Sequence, residues 1–186
     1  MSGNILDDRR RALEEAFFAK YNEELRRRLA TGGLAPGKAA IAAATGITDD
    51  AVLDRLIGLD LGADTLAALS LAPLVAVAWA DGTIEPEERA AILAAAAEAG
   101  LDQQAPSYAL LEQWLHRQPP AGLLAAWTSY TAAISATVSE EARRAFRSDM
   151  LGRARAVAVA AGGILGFGRI SAAEEVVLKQ LEAALS

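Results

Sequence analysis

Alanine supplies 44 of the 186 residues, and it recurs in runs such as Ala42-Ala43-Ala44 and Ala94-Ala95-Ala96-Ala97. A methyl side chain loses no rotamer freedom in a helix and lets two helix backbones approach closely. Aromatic residues are only 5% of the chain, and no segment alternates with period two over a strand's length. The chain is therefore expected to be all-α: a compact helical bundle.

Helix periodicity and its breakers divide the sequence. Residues 7–30 form one predicted helix, with Leu13, Phe17, Tyr21, Leu25 and Leu29 four apart along an apolar stripe. Asp7/Arg11, Glu23/Arg27 and Glu24/Arg28 put acid four residues before base, the favourable order. The breaker Thr31-Gly32-Gly33-Leu34-Ala35-Pro36-Gly37 follows. This divides the chain into residues 1–36 as an arm, 37–62 as a short helical hairpin, and 63–186 as the main helical domain. The stripe of Leu13, Phe17, Tyr21 and Leu25 is the candidate interaction helix and the expected route to a homo-oligomer.

Beyond the arm, helices are predicted over 38–45 and 49–59, with Thr48 as N-cap of the second. A strongly apolar helix over 64–79 is expected to kink at Pro73. Further helices are predicted over 86–99, 107–117, 121–136, 139–161 and 172–185. Pro86 suits a first helical position and Gly100 a C-terminal stop. Ser171-Ala172-Ala173-Glu174 has the spacing of a capping box. One internal similarity stands out: Gly82-Thr83-Ile84-Glu85-Pro86-Glu87-Glu88 lines up with Gly168-Arg169-Ile170-Ser171-Ala172-Ala173-Glu174. Each segment follows an apolar helix and opens a shorter one, which implies two pseudo-repeated helix-turn-helix units.

Composition removes several kinds of chemistry. The chain has no cysteine, so disulfides, thiolate metal sites and cysteine nucleophiles are excluded. The single histidine, His116, has no second imidazole and no Gly-x-Ser-x-Gly elbow to work with. Gly162-Gly163-Ile164-Leu165-Gly166-Phe167-Gly168 matches neither a P-loop nor a dinucleotide fingerprint. The longest apolar run, residues 66–80, is shorter than the roughly 20 residues a membrane helix needs. With no basic, apolar leader at the N-terminus either, a cytoplasmic protein without a transmembrane segment is expected.

Charge is unevenly placed within the net −6. Residues 49–102 carry 11 acids against Arg55 and Arg89, whereas 139–169 carry six arginines against Glu140, Glu141 and Asp149. An acidic middle disfavours polyanions and suits cations or basic partners, and it also keeps an alanine-rich chain soluble. Residues 42–56 have the spacing of a DNA-binding helix-turn-helix, but Asp49, Asp50 and Asp54 would face phosphates with Arg55 alone in support. No nucleic-acid partner is expected, and DNA binding through residues 38–59 stands as the alternative. A carboxylate-dependent enzyme is the other, although no acid pair stands apart from the helix faces.

The segment Leu74-Val75-Ala76-Val77-Ala78-Trp79-Ala80-Asp81-Gly82-Thr83-Ile84-Glu85-Pro86-Glu87-Glu88 resembles the TerB-like (tellurite-resistance) family. The shared pattern is an apolar helix ending in Ala80-Asp81-Gly82, then Ile84, then Glu88 in the next helix's first turn. The resemblance covers residues 64–185 and leaves the N-terminal arm as an extension. It implies an all-helical, stress-associated domain whose clustered carboxylates take a divalent cation such as Ca or Mg, with Asp81 and Glu88 matching the family's acidic positions; the expected function is a non-enzymatic interaction module with protein partners. The acids at the motif are Asp81, Glu85 and Glu88, and the second unit keeps Glu174 but has Phe167 in the second Asp position. The same residues have a structural reading. Gly82 can take a positive φ, Asp81 can bond nearby N–H groups, and acids at a helix start are favourable by about 0.3–1 kcal/mol each. In that reading Gly82, Ile84, Gly168, Ile170 and Glu174 are the residues that define the two turns.

Overall fold

The computed structural model describes residues 36–136, 138–160 and 170–186. Leu13, Phe17, Tyr21, Leu25 and Gly168 lie outside the described residues. Nine helices and no strands are present among those described. They are α1 (Pro36–Thr45), α2 (Asp50–Ile57), α3 (Leu66–Leu69), α4 (Ala72–Ala78), α5 (Pro86–Glu98), α6 (Pro106–His116), α7 (Leu123–Ser135), α8 (Glu140–Ala160) and α9 (Ala172–Ala184).

Helix α4 is the centre of the bundle. Ala72, Pro73, Leu74, Val75, Val77 and Ala78 are all buried, and α5, α7, α8 and α9 pack around them. A seven-residue helix with no polar side chain is stable only when enclosed in this way. At its end the half-buried Trp79 donates its indole N–H to the Trp114 carbonyl at 2.7 Å, which ties α4 to α6. Trp114 and Trp127 are themselves buried, as their apolar neighbours suggest.

The predicted single helix over 64–79 is instead two. Helix α3 ends at Leu69, Leu71 donates to the Ala68 carbonyl at 3.0 Å, and α4 then starts with Pro73 in its first turn. A proline there removes an N–H that a helix start leaves unpaired in any case, so breaking is cheaper than kinking. The N-cap of α2 is also a correction. Asp49, not Thr48, accepts from the backbone N–H groups of Ala51 and Val52, at 2.9 and 3.2 Å.

The hairpin α1–α2 contributes Ile41, Ile47, Leu53 and Leu56 to the same buried cluster as α4, α7 and α8. Its Lys38 is held by Asp50 and Asp54 at 2.8 and 2.6 Å. At the close of α2, Leu61 donates to Leu56 and Asp60 to Ile57, with Asp60 at φ 58°. The same pair of bonds closes α5, where Leu101 donates to Ala96 and Gly100, at φ 73°, donates to Ala97.

The two units expected from the internal similarity are α4–α5 and α8–α9. Their packing is reciprocal: α4 lies on α8, α5 lies on α8, and α9 lies on α4. Ile84 and Ile170, at equivalent positions before α5 and α9, are both half-buried against the core.

Candidate functional site

The turn between α4 and α5 is built from short-range bonds. Gly82 takes φ 96° and donates to the Trp79 carbonyl at 3.0 Å. Asp81 Oδ1 accepts from the Thr83 amide at 3.1 Å and the Thr83 hydroxyl at 3.3 Å. Glu85 is extended, Pro86 opens α5, and Glu88 folds back so that its Oε2 accepts from the Glu85 amide at 2.8 Å. The second unit repeats this device. Glu174 Oε2 accepts from the Ser171 amide at 2.5 Å, and the Ser171 hydroxyl accepts from the Glu174 amide at 3.1 Å. The predicted capping box is present.

Both glutamates are buried: Glu88 is 3% exposed and Glu174 is 5% exposed. Burial pushes the Glu88 carboxyl up to about 7, and the negative charges of Glu174, Asp81 and Glu85 push the same way, against the hydrogen bond from Glu85. The charge of Glu174 therefore reaches Glu88 across the interface of the two units. Sequence similarity makes them equivalent, but only the packing of the units brings their fields together.

The structure does not assemble the expected oxygen cage. Asp81 and Glu85 are exposed while Glu88 faces inward. Among the described residues no three His, Asp or Glu side chains gather so as to hold a metal ion. The oxygens that do face the turn already accept backbone N–H groups, which favours the structural reading of Asp81 and Glu88.

Other sequence candidates have local explanations. His116 Nδ1 lies 2.8 Å from the Glu112 carbonyl and 3.4 Å from Arg89 Nη2, on an exposed helix end. The solvent face of α2 shows Asp50 and Asp54, and Arg55 is hydrogen-bonded to Ser129. Arg153 bridges Asp149 and Glu98 at 3.0 and 3.8 Å, so the arginine-bearing α8 meets the acidic middle segment of its own chain. No helix among the described residues is long and apolar enough to cross a membrane.

A site that the sequence did not announce lies between α7 and the start of α8. It is a cleft of about 210 Å³ whose walls include Trp127, Tyr130, Ile134, Val138 and Phe146, with Arg143 at its edge. Two further hollows adjoin it. One runs over Phe146 to Leu185 at the chain's end, and the other runs past Ile134 to the 45–49 turn. Val138 and Phe146 are each 38% exposed, large apolar side chains left at the surface. Phe146 among Arg143, Arg144 and Arg147 was the available signal: an aromatic residue in the middle of an otherwise polar stretch. No family model, no curated protein and no solved structure matches the chain.

Proposed function

We propose that the chain is a TerB-like, non-enzymatic interaction module of the cytoplasm, associated with stress, which engages a protein partner through the α7–α8 cleft. The cleft carries this reading. It joins an apolar floor, partly exposed Val138 and Phe146, and the guanidinium of Arg143, which is shared with Glu140 at 3.4 Å. That combination suits an apolar helix face with an acidic flank.

Two features support the non-enzymatic part. The only histidine is engaged with a backbone carbonyl, and the buried carboxylates Glu88 and Glu174 cap helices. Any divalent-cation binding belongs to the Asp81–Glu85–Glu88 turn and is weak, because a cation would compete with backbone N–H groups for the same oxygens. DNA binding through α1–α2 is disfavoured by the acidic solvent face of α2 and by the neutralisation of Lys38.

The test is site-specific photo-crosslinking in the source cells. A photoreactive residue at position 146 is expected to capture a discrete protein, and Arg143→Glu should weaken that capture at least fivefold. Equal capture from position 146 and from the exposed position 109 on α6 would overturn the reading.

A further inference from the structure

We infer that the α7–α8 cleft is also a small-molecule site, which takes an uncharged ring compound carrying one hydroxyl or carbonyl group. The inference goes beyond the partner reading and does not rest on it, because the purified protein alone must bind the ligand.

Hydroxyl groups on α7 give the first argument. Thr128 and Ser129 donate theirs back to the Leu124 and Ala125 carbonyls, at 2.9 and 3.0 Å. That is a common way for a helix to satisfy such groups. Thr131 and Ser135, which line the cleft, make no such bond, and their hydroxyls have no partner among the described residues. Thr131 is only 9% exposed. Its oxygen is nevertheless not sealed in, since no enclosed side-chain oxygen among the described residues lacks a partner. The hydroxyl therefore opens into the cleft and the adjoining hollow that Thr131 lines. A polar group reached only from an apolar pocket is the kind of contact that orients a small ligand.

The walls set the size and shape of that ligand. Trp127, Tyr130, Ile134, Val138 and Phe146 make the rest of the cleft apolar and largely aromatic. Aromatic walls favour a ring, met edge-on or offset. An apolar cavity of about 150 Å³ takes benzene, so the volume of about 210 Å³ here leaves room for a ring and roughly three further atoms.

Electrostatics decides against an ion. Arg143 Nη1 lies 3.4 Å from Glu140, whose other carboxylate oxygen is 3.0 Å from Arg144 Nε. The guanidinium at the edge is thus already shared, and the floor has no cation of its own. Burial raises the Tyr130 phenol above its ordinary range, the mark of a poorly hydrated wall that disfavours negative charge. A carboxylate there would lose its water without a dedicated counter-charge. A neutral ligand avoids that loss.

Three probes built on one ring test this by ¹⁹F NMR titration of the purified full chain: 4-fluorophenol, fluorobenzene and 4-fluorobenzoate. At about pH 7 the phenol should bind with a dissociation constant on the order of 100 µM, at least about tenfold more tightly than the benzoate. Thr131→Val keeps the shape of the side chain and removes the hydroxyl. It should weaken the phenol by about threefold or more and leave fluorobenzene within about twofold. Ala142→Trp, at an exposed position lining the cleft, should fill it and weaken both neutral probes by about tenfold or more. Binding that survives Ala142→Trp, or equal effects of Thr131→Val on the two neutral probes, would overturn the inference. So would a benzoate that binds as tightly as the phenol, or no detectable binding of the phenol. These last two outcomes need no variant, so a substitution that disturbs folding cannot shelter the inference. Photo-capture at position 146 is read separately in cells, and either reading can fail while the other stands.

Discussion

Glu88 and Glu174 hold the same place in two equivalent turns, and each bends its carboxylate back onto the amide that precedes its helix, at Glu85 and Ser171. Both are buried, and the charge on Glu174 raises the carboxyl of Glu88. A bond that fixes each helix start is thus coupled to a repulsion between the two starts.

Burial of Glu88, with that repulsion added to it, gives stability a definite pH dependence. Glu88 sits at about 7 in the folded chain against an ordinary 4.5, so between these values the folded state binds more protons than the unfolded one. Stability therefore falls as pH rises from about 4.5 to about 7, by about 1–3 kcal/mol. Glu88→Gln keeps an oxygen to accept from Glu85 and removes the charge. Urea denaturation should find the variant more stable than the parent at pH 8, with little difference at pH 4.5. Equal differences at the two pH values would contradict the assignment.

The backbone offers a second test. Asp60 and Gly100 close α2 and α5 with the same pair of hydrogen bonds, but Asp60 carries a side chain at φ 58°. A left-handed conformation costs an L-residue about 1–2 kcal/mol, somewhat less for Asp. Asp60→Gly should raise stability by about 0.5–1 kcal/mol, after glycine's greater entropy loss is set against the relieved strain. Gly82→Ala should lower it by about 1 kcal/mol, although nothing lies near enough to clash with the added methyl. A neutral Gly82→Ala would show that the Ala-Asp-Gly turn relaxes freely.

Much of this bundle was legible because helix signals are local. The Ser171–Glu174 box, Pro86 at the start of α5 and Gly100 beyond its end each announce themselves within four residues. Where two local solutions are close in energy, the sequence did not choose. Thr48 and Asp49 are both good caps, and Asp49 prevails by accepting from two amides. Pro73 permits a kink or a break, and the surroundings of α4 decide. The candidate cleft was less legible because its walls come from α7, α8 and the segment between them, with Ser70 far away in sequence. The oxygen cage expected from Asp81, Glu85 and Glu88 is not gathered among the described residues: spacing put the acids in one turn, but Asp81 and Glu85 are exposed and Glu88 is buried.

Alanine's role as a spacer can be checked where helices cross. Ala72 on α4 and Ala154 and Ala158 on α8 are fully enclosed, and α4 packs directly on α8. Enlarging one of them forces the helices apart or its neighbours off their rotamers. Ala158→Leu should destabilise by about 1–3 kcal/mol, and by more if the bundle cannot yield. The exposed Ala156→Leu on the same helix should change stability by less than about 0.5 kcal/mol. Comparable losses at both positions would mean that close approach of α4 and α8 is not what the alanines provide.

Divalent cations test the turn itself. A site with a dissociation constant near 10 µM would add about 2.7 kcal/mol of stability at 1 mM ion, a shift of several degrees in Tm. Asp81 Oδ1 holds Thr83 and Glu88 Oε2 holds Glu85, so a cation would have to replace bonds that already fix the turn. Thermal denaturation with 1 mM calcium or magnesium should accordingly move Tm by less than about 1 °C, and Asp81→Asn should respond in the same way. A shift of several degrees in the parent, lost in Asp81→Asn, would show that the turn opens to take the ion. In that case the backbone bonds drawn by Asp81 and Glu88 describe a resting state, and their oxygens are exchangeable ligands.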